Sequence, residues 1–199
     1  MAKTLEFIFD FASPNAYLAW RVLPGLLERT GAELAVTPCL LGGLFKLTGN
    51  QAPFVAFAGV KGKMDYEMLE TRRFIERHGL ERFRMNPHFP MNTLLPMRAL
   101  VAAQADGRER PFVEAVLSAA WEDGEKIDDP AVLTAALDRA DLPGAELLAR
   151  TGDPAVKQRL LDNTQGAADR GAFGIPSFFV GGELFFGKER LGQVEEALA

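Results

Sequence analysis

Ser13 opens the segment Ser-Pro-Asn-Ala, in which a strand pattern passes directly into a helical pattern. The apolar run Leu5–Phe11 predicts a buried strand, and Pro14 suits the first helical position, where a missing N–H costs nothing. Ser13 is then expected at the N-cap, beside the free N–H groups and the positive end of the helix dipole. This position is suited to holding an anion or a thiolate, although most Ser-Pro pairs at helix starts are simple caps.

Other reactive side chains are few. Cys39 is the single cysteine, which excludes an intrachain disulfide and a Cys-x-x-Cys redox pair, and its apolar neighbours predict a buried thiol. The two histidines, His78 and His88, form no metal-ligand cluster, so we expect no metal site. Ser13 has no Ser-His-Asp signature around it and is expected to donate a hydrogen bond, not to attack as a nucleophile.

Length and composition narrow the class of protein. A chain of 199 residues suits one domain, or one domain with an insertion. A net charge of −5 argues against a nucleic-acid partner. No apolar run approaches membrane-spanning length. The start Met-Ala-Lys-Thr leads straight into the first strand without a signal-peptide pattern, so we expect a cytoplasmic protein with no membrane association.

The order of predicted elements indicates the fold. A helix from Pro14 to about Thr30 closes at Gly31 and leads into a strand over Glu33–Cys39. Residues 40–53 read as a glycine-containing connection without the spacing of a nucleotide-binding loop. The long periodic segments that follow are helical: Lys63–Gly79, Thr93–Ala105, Pro111–Glu122 and Pro130–Arg139.

The C-terminal part returns to strands. A helix over Pro154–Arg170 precedes a strand that opens on Pro176, and Gly181-Gly182 predicts a hairpin turn before a return strand and a final helix over Lys188–Leu198. The sequence therefore predicts an α/β, thioredoxin-like fold of order βαβ…αββα. Residues 1–50 and 150–199 would form a discontinuous thioredoxin-like domain, and residues 51–149 an inserted all-helical domain.

Six ordered blocks carry a family resemblance: FDFASPNAYLA, LTGNQAP, NPHFPMNTLLPMRAL, AAWEDGEKI, GAFGIPSFFV and LFFGKERL. Together they resemble the 2-hydroxychromene-2-carboxylate isomerases, which belong with kappa-class glutathione transferases among thioredoxin-fold proteins related to bacterial disulfide oxidoreductases. The resemblance covers essentially the whole chain. It implies bound glutathione as cofactor, a small aromatic substrate and a homodimer.

The resemblance gives Ser13 a role. Disulfide-exchanging relatives have Cys-x-x-Cys where this chain has Ser13 to Ala16, and a hydroxyl cannot form a mixed disulfide. The protein would borrow the thiol of glutathione, and the family pattern places that sulfur against the Ser13 hydroxyl. A second anchor is Ile175-Pro176, a plausible cis bond, where the backbone of Ile175 would meet the cysteinyl backbone of glutathione. Pro176 could instead merely start an edge strand.

The remaining implied contacts involve both ends of the tripeptide. Asn50 matches a glutathione-contacting asparagine, or is an ordinary turn residue. A lysine expected at the glycine carboxylate is Lys63 or Lys61, and either could be solvated surface. The family's Ser- or Gln-Asp pair, which holds the γ-glutamyl end, is Lys188-Glu189 here. Glu189 can still accept from an ammonium, but a glutamate in a first helical turn is also common for dipole reasons alone.

Trp121, Phe57 and Phe89 are possible walls for an aromatic substrate, or helical core, and Arg98 could pair with a substrate carboxylate or brace the insert. The resemblance implies a glutathione-dependent isomerase in which a Ser13-stabilised thiolate adds reversibly to an unsaturated aromatic substrate. A kappa-class transferase or peroxidase is the first alternative. A redox-inactive peptide-binding module at the Ile175-Pro176 edge is the second.

Overall fold

A four-stranded mixed sheet forms the centre of the computed structural model, which describes residues 3–199. The strands are β1 (Thr4–Phe9), β2 (Glu33–Pro38), β3 (Ser177–Val180) and β4 (Glu183–Phe186), in the order β2-β1-β3-β4. The ten α-helices assigned among these residues are α1 (Pro14–Thr30), α2 (Leu41–Thr48), α3 (Pro53–Ala56), α4 (Lys63–His78), α5 (Leu94–Ala105), α6 (Glu109–Trp121), α7 (Pro130–Asp138), α8 (Gly144–Ala149), α9 (Pro154–Asp169) and α10 (Leu191–Leu198).

Strand β1 has a partner on each side. It runs parallel to β2, with Phe7 opposite Val36, and antiparallel to β3, with Phe7 opposite Phe178. A short hairpin through Gly181 and Gly182, both at positive φ, joins β3 to β4, as their sequence predicts. This order and these directions confirm the predicted βαβ…αββα arrangement.

The core is built on aromatic side chains of β1. Phe7 stacks on Phe178 at 4.8 Å between ring centroids, and Phe9 meets Phe11 edge to face at 4.9 Å. Trp20 of α1 lies against both Phe7 and Phe9. Phe7 and Phe9 lie on one face of β1, and Ile8 on the other face is also fully buried, so β1 reads as a nearly continuous apolar run.

Helix α1 has the boundaries that its sequence predicts. Pro14 occupies the first turn, and Gly31 ends the helix in the left-handed conformation at φ 65°. In that conformation a Cβ would be unfavourable, so glycine suits the position.

Residues 41–48 contradict the expectation of a simple connection, because they form helix α2. Gly42 and Gly43 lower the intrinsic helix propensity of this segment. Packing overrides that propensity: a Cβ on Gly43 would lie 2.9 Å from the side chain of Thr164 in α9. The glycine therefore permits the close approach of the two helices.

The segment from residue 54 to residue 149 carries helices and no strand in the structure, as predicted. The sequence analysis missed α8, which follows Leu142-Pro143 directly. The helical segment shares a continuous core with the sheet, and hydrogen bonds cross between them, from Trp121 Nε1 to the carbonyl of Phe11 (3.0 Å) and from Gln104 Nε2 to that of Val36 (2.9 Å). The division into two domains stays a prediction.

Across residues 3–199, no helix is long and apolar enough to cross a bilayer. The same residues contain no group of three or more side chains placed to hold a metal ion.

Candidate active site at the start of helix α1

The Ser13 hydroxyl makes two hydrogen bonds at the start of α1. Its Oγ accepts from the N–H of Ala16 at 3.2 Å, which is the N-cap contact, and donates to the carbonyl of Ile175 at 2.9 Å. Ser13 is 4% exposed. The structure thus brings together the N-terminus of α1 and the Ile175-Pro176 bond, the two segments that the family resemblance assigns to the cysteinyl unit of glutathione.

The Ile175-Pro176 peptide bond is cis, and Pro176 is buried directly before β3. Among the described residues, the N–H of Ile175 has no hydrogen-bond acceptor, nor has the N–H of Asn15 in the first turn of α1. Two backbone donors therefore remain unpaired next to a hydroxyl and a helix N-terminus. This set of groups is suited to a ligand that brings acceptors or a negative charge.

Asp10 holds the loop that presents Ser13, and the sequence analysis did not single it out. Its carboxylate accepts from the N–H of Ala12 at 3.0 Å and from the N–H of Leu41 at 2.7 Å. Asp10 is 1% exposed, and burial raises its pKa to about 6, although hydrogen bonds from Leu41, Thr93 and Ala12 act in the opposite direction. The sequence signal is an aspartate between Phe9 and Phe11 at the end of a buried strand.

The raised pKa of Asp10 predicts a pH-dependent contribution to stability. The folded protein binds this proton more tightly than the unfolded chain, whose aspartate has a pKa near 3.8. The contribution is therefore full below that value and is lost as the pH rises through about 6, a change of about 3 kcal/mol in the free energy of unfolding. We expect the stability difference between wild type and Asp10→Asn to fall by about this amount between acidic and neutral pH in urea titrations. A difference that stays constant with pH would contradict the assignment.

Asn50 lies beside the segment that precedes the cis bond. Its Nδ2 donates to the carbonyl of Phe173 at 2.8 Å, and its Oδ1 accepts from the N–H of Gln51 at 2.8 Å. The ring of Phe173 packs against Phe186 at 4.5 Å between centroids. Gly174 lies under Phe186, where a Cβ would come within 2.8 Å of the ring. Asn50 thus ties the loop after α2 to the Phe173–Gly174 segment.

Lys188 and Glu189 pair with each other in the short turn before α10. The Lys188 ammonium bonds the Glu189 carboxylate and lies 5.5 Å from the ring centroid of Phe74 in α4. Lys188 is 3% exposed, whereas the side chain of Glu189 is 46% exposed. The two residues that the family resemblance assigns to the γ-glutamyl end therefore neutralise each other's charge in this chain.

Lys63 and Lys61 occupy the start of α4 and the turn before it. The ammonium of Lys63 lies 2.6 Å from Glu67 Oε1 and 5.3 Å from the ring centroid of Phe57. The hydrogen bond to Glu67 raises the pKa of Lys63, which is thus a paired surface cation. Lys61 is exposed. The assignment of either lysine to a glycine carboxylate stays a prediction.

A row of aromatic side chains leads from the surface to the turn between β1 and Ser13. Phe54, an exposed residue of α3, meets Phe89 at 5.6 Å between centroids, and Phe89 meets Trp121 at 6.2 Å. Trp121 is fully buried and bonds the carbonyl of Phe11, so it belongs to the core. Phe57 is 37% exposed. Of the three proposed substrate walls, Phe57 and Phe89 keep exposed surface.

Glu122 joins α1 to the end of α6 and was also missed by the sequence analysis. Its carboxylate accepts from the Tyr17 hydroxyl at 2.8 Å and from Arg21 Nη2 at 2.7 Å, and Arg82 Nη2 lies 2.6 Å from its second oxygen. The Glu122 side chain is 4% exposed. Burial raises the pKa of Tyr17, so this phenol stays a neutral donor. Tyr17 lies one helical turn after Ser13 in α1, so this cluster adjoins the candidate site through the helix.

Cys39 and His78 have no part in the candidate site. Burial raises the pKa of the Cys39 thiol to about 12, so it stays protonated and unreactive near neutral pH. Burial lowers the pKa of His78, whose ring lies 4.4 Å from Phe74. A thiolate acting beside Ser13 would therefore have to come from a ligand.

Comparison with known proteins places the chain in a family. The model of the DSBA-like thioredoxin domain matches residues 4–199. The chain is 28% identical over 200 residues to the 2-hydroxychromene-2-carboxylate isomerase of Sphingobium xenophagum, covering 100% of this chain and 99% of that protein. It is 25% identical to human glutathione S-transferase kappa 1 over 209 residues, or 96% and 88% of the two chains.

A solved structure of 2-hydroxychromene-2-carboxylate isomerase superimposes with a TM-score of 0.83 at 24% identity, covering 98% of this chain and 94% of that one. The fold is thus thioredoxin-like, as predicted, and these relatives are isomerases and transferases. Because the family model spans both the sheet and the helices between its halves, the chain belongs to the DSBA-like thioredoxin domain family.

Proposed function

We propose that the chain is a glutathione-dependent isomerase that acts on a small unsaturated aromatic compound, similar to 2-hydroxychromene-2-carboxylate isomerase. One observation carries the proposal: a buried serine hydroxyl caps α1 and touches the backbone of Ile175, in a protein whose own thiol is unreactive. The names of the two relatives support an isomerase or a glutathione transferase.

The free groups around Ser13 fit a cysteinyl unit. The N–H of Ile175 can donate to the cysteinyl carbonyl, and the carbonyl of Ile175 can accept from the cysteinyl N–H. Ser13 has one hydroxyl proton, which it now donates to this carbonyl, so a bond from Ser13 to the sulfur would replace that contact and leave the cysteinyl N–H as the partner of the carbonyl. Ser13 would then donate its hydroxyl proton to the sulfur, and its Oγ would still accept the hydrogen bond from the N–H of Ala16.

The energies of these contacts are sufficient for thiolate formation. Lowering a thiol pKa from about 8.5 by roughly two units requires about 2.7 kcal/mol of preferential thiolate stabilisation. A hydrogen bond to a charged group contributes about 1.5–3 kcal/mol, and a helix N-terminus about 0.3–1 kcal/mol. Ser13 and the first turn of α1 together reach the required value without a basic side chain.

When bound, glutathione would supply the thiolate that adds reversibly to the substrate, allows rotation about the former double bond and leaves again. The Ser13 hydroxyl would stabilise the thiolate by a hydrogen bond before the sulfur adds to the substrate and after it leaves. Phe57 and Phe89 offer apolar surface to an aromatic ring. A homodimer and a cytoplasmic location stay predictions.

The first alternative is a kappa-type transferase or peroxidase, which would use the same thiolate with a different acceptor. The mutual pairing of Lys188 and Glu189 favours the second alternative, a module that binds extended peptides at Ile175-Pro176. Calorimetry with glutathione, followed by a thiol balance during turnover of a hydroxychromene carboxylate, separates the three. Binding with no net loss of glutathione supports the isomerase, and consumption supports the transferase. No binding of glutathione, with binding of extended peptides, eliminates both enzymes.

The Lys188-Glu189 pair gives a prediction about affinity. Replacing it by the family pair, Lys188→Gln with Glu189→Asp, removes the internal ion pair and frees an amide and a carboxylate for the γ-glutamyl end. We expect glutathione to bind several-fold to about tenfold more tightly, the gain from roughly one net hydrogen bond. The comparison is calorimetry against wild type and the exposed-lysine variant Lys46→Gln. Unchanged or weaker binding by the double variant would place the γ-glutamyl end elsewhere.

A further inference from the structure

A cavity that Ser13 does not line opens where the start of α5 meets the loop before α7 and the turn after α8. Its volume is about 240 Å³. Its lining consists of two leucines, two opposite charges and two neutral polar residues: Leu94, Leu95, Arg98, Asp128, Asn92 and Thr151. The proposed isomerase chemistry uses none of them.

The two charged residues have no partners among residues 3–199. Nε of Arg98 and Oδ1 of Asp128 are shut off from solvent and form no hydrogen bond. No carboxylate of the described residues lies at ion-pair distance from Arg98, and no basic group lies at that distance from Asp128. A largely buried charge without a counter-charge is unfavourable. Because both groups are partly exposed in one cavity, a ligand there can neutralise both.

The chemistry of the ligand follows from the two charges. A guanidinium binds a carboxylate, and a carboxylate binds an ammonium. We propose that this cavity binds a small zwitterion of the α-amino acid type, with its carboxylate at Arg98 and its ammonium at Asp128. Leu94 and Leu95 provide apolar surface for a short aliphatic side chain. The volume is below the roughly 300–1,000 Å³ of cavities for drug-sized ligands, which matches one amino acid.

Calorimetry with L-valine and two matched fragments tests the pairing. Isovalerate lacks the ammonium of valine, and isobutylamine lacks its carboxylate. We expect valine to bind at least tenfold more tightly than either fragment. Arg98→Gln and Asp128→Asn should each weaken valine binding about tenfold to a hundredfold, the loss expected for a hydrogen bond between charged groups. The exposed-residue variants Arg159→Gln and Asp123→Asn are the controls and should bind like wild type.

Several outcomes would overturn the proposal: no heat with millimolar valine, equal binding of the fragments, or valine binding that survives both cavity substitutions. If Arg98→Gln does not fold by circular dichroism, Asp128→Asn decides the question. Glutathione carries the same ammonium and carboxylate at its γ-glutamyl end. If glutathione competes with valine, the tripeptide is the ligand of this cavity; if it does not compete, the ligand is a free amino acid. The titrations are repeated with Ser13→Ala. Because Ser13 does not line the cavity, the Ser13→Ala variant should still bind valine, even if the proposed isomerase function fails.

Discussion

Ser13→Ala is expected to raise the thiol pKa of bound glutathione back toward about 8.5, the value of a free thiol. The substitution removes the hydroxyl that would donate to the sulfur and leaves the helix N-terminus in place. Loss of a hydrogen bond worth about 1.5–3 kcal/mol predicts a fall in kcat/KM of roughly 10- to 150-fold at neutral pH. The ultraviolet absorbance of the thiolate, followed against pH, measures the shift, and isomerisation kinetics measure the fall.

A second helix cap provides the control for lost stability. Asp129 caps α7 by accepting from the N–H groups of Ala131 and Val132, as Ser13 caps α1. Asp129→Ala and Ser13→Ala should both lose about 1 kcal/mol of capping stabilisation, and Ser13→Ala also loses the hydrogen bond to the carbonyl of Ile175. Only Ser13→Ala should change the thiolate pKa and kcat/KM. Equal activity of the two variants would remove Ser13 from the proposed mechanism.

Glu122→Ala is expected to destabilise the fold by about 1–3 kcal/mol, because it leaves the buried phenol of Tyr17 without its acceptor and removes one of the partners of Arg21. Arg21 retains its ion pair with Glu114, but Tyr17 loses its hydrogen-bond acceptor. Urea denaturation followed by circular dichroism gives the change in the free energy of unfolding.

Glu195→Ala is the matched control, since Glu195 also bonds an arginine, Arg29, through both carboxylate oxygens but on the protein surface. Exposed ion pairs contribute little, so this variant should remain close to wild type. Similar losses for both variants would show that the burial of the Glu122 cluster has no energetic consequence.

The sequence predicts the order of strands and helices along the chain, and the bounds of the first helix, because their signals are local. Apolar runs, the Ser-Pro start and Gly31 act within a few residues. Helix α2 was missed because its stability depends on a distant residue, Thr164, which meets Gly43. Its first turn also depends on Asp10, which lies far upstream and bonds the N–H of Leu41. Local propensity cannot report either contact.

The candidate site shows the same limit. The sequence analysis placed Ser13 at the N-cap and assigned Ser13 and Ile175 to the same cysteinyl unit, and the structure places the two residues in direct contact. It did not predict that the hydroxyl donates to that carbonyl, nor that Lys188 and Glu189 pair with each other. Both depend on side-chain rotamers selected by neighbours remote in sequence. The glutathione contacts themselves stay predictions.

The bond from Ser13 to the carbonyl of Ile175 also bears on which thiols the protein would activate. A simple alkyl thiol has no amide N–H to offer that carbonyl, so turning the serine hydroxyl to the sulfur would leave a buried acceptor unpaired, at a cost of about 1–3 kcal/mol. A cysteinyl peptide would bring its own amide N–H to the carbonyl, so the serine hydroxyl could turn to the sulfur without that cost. Selection among cellular thiols would then be made by the backbone of the cofactor, before any side-chain contact at either end of the tripeptide.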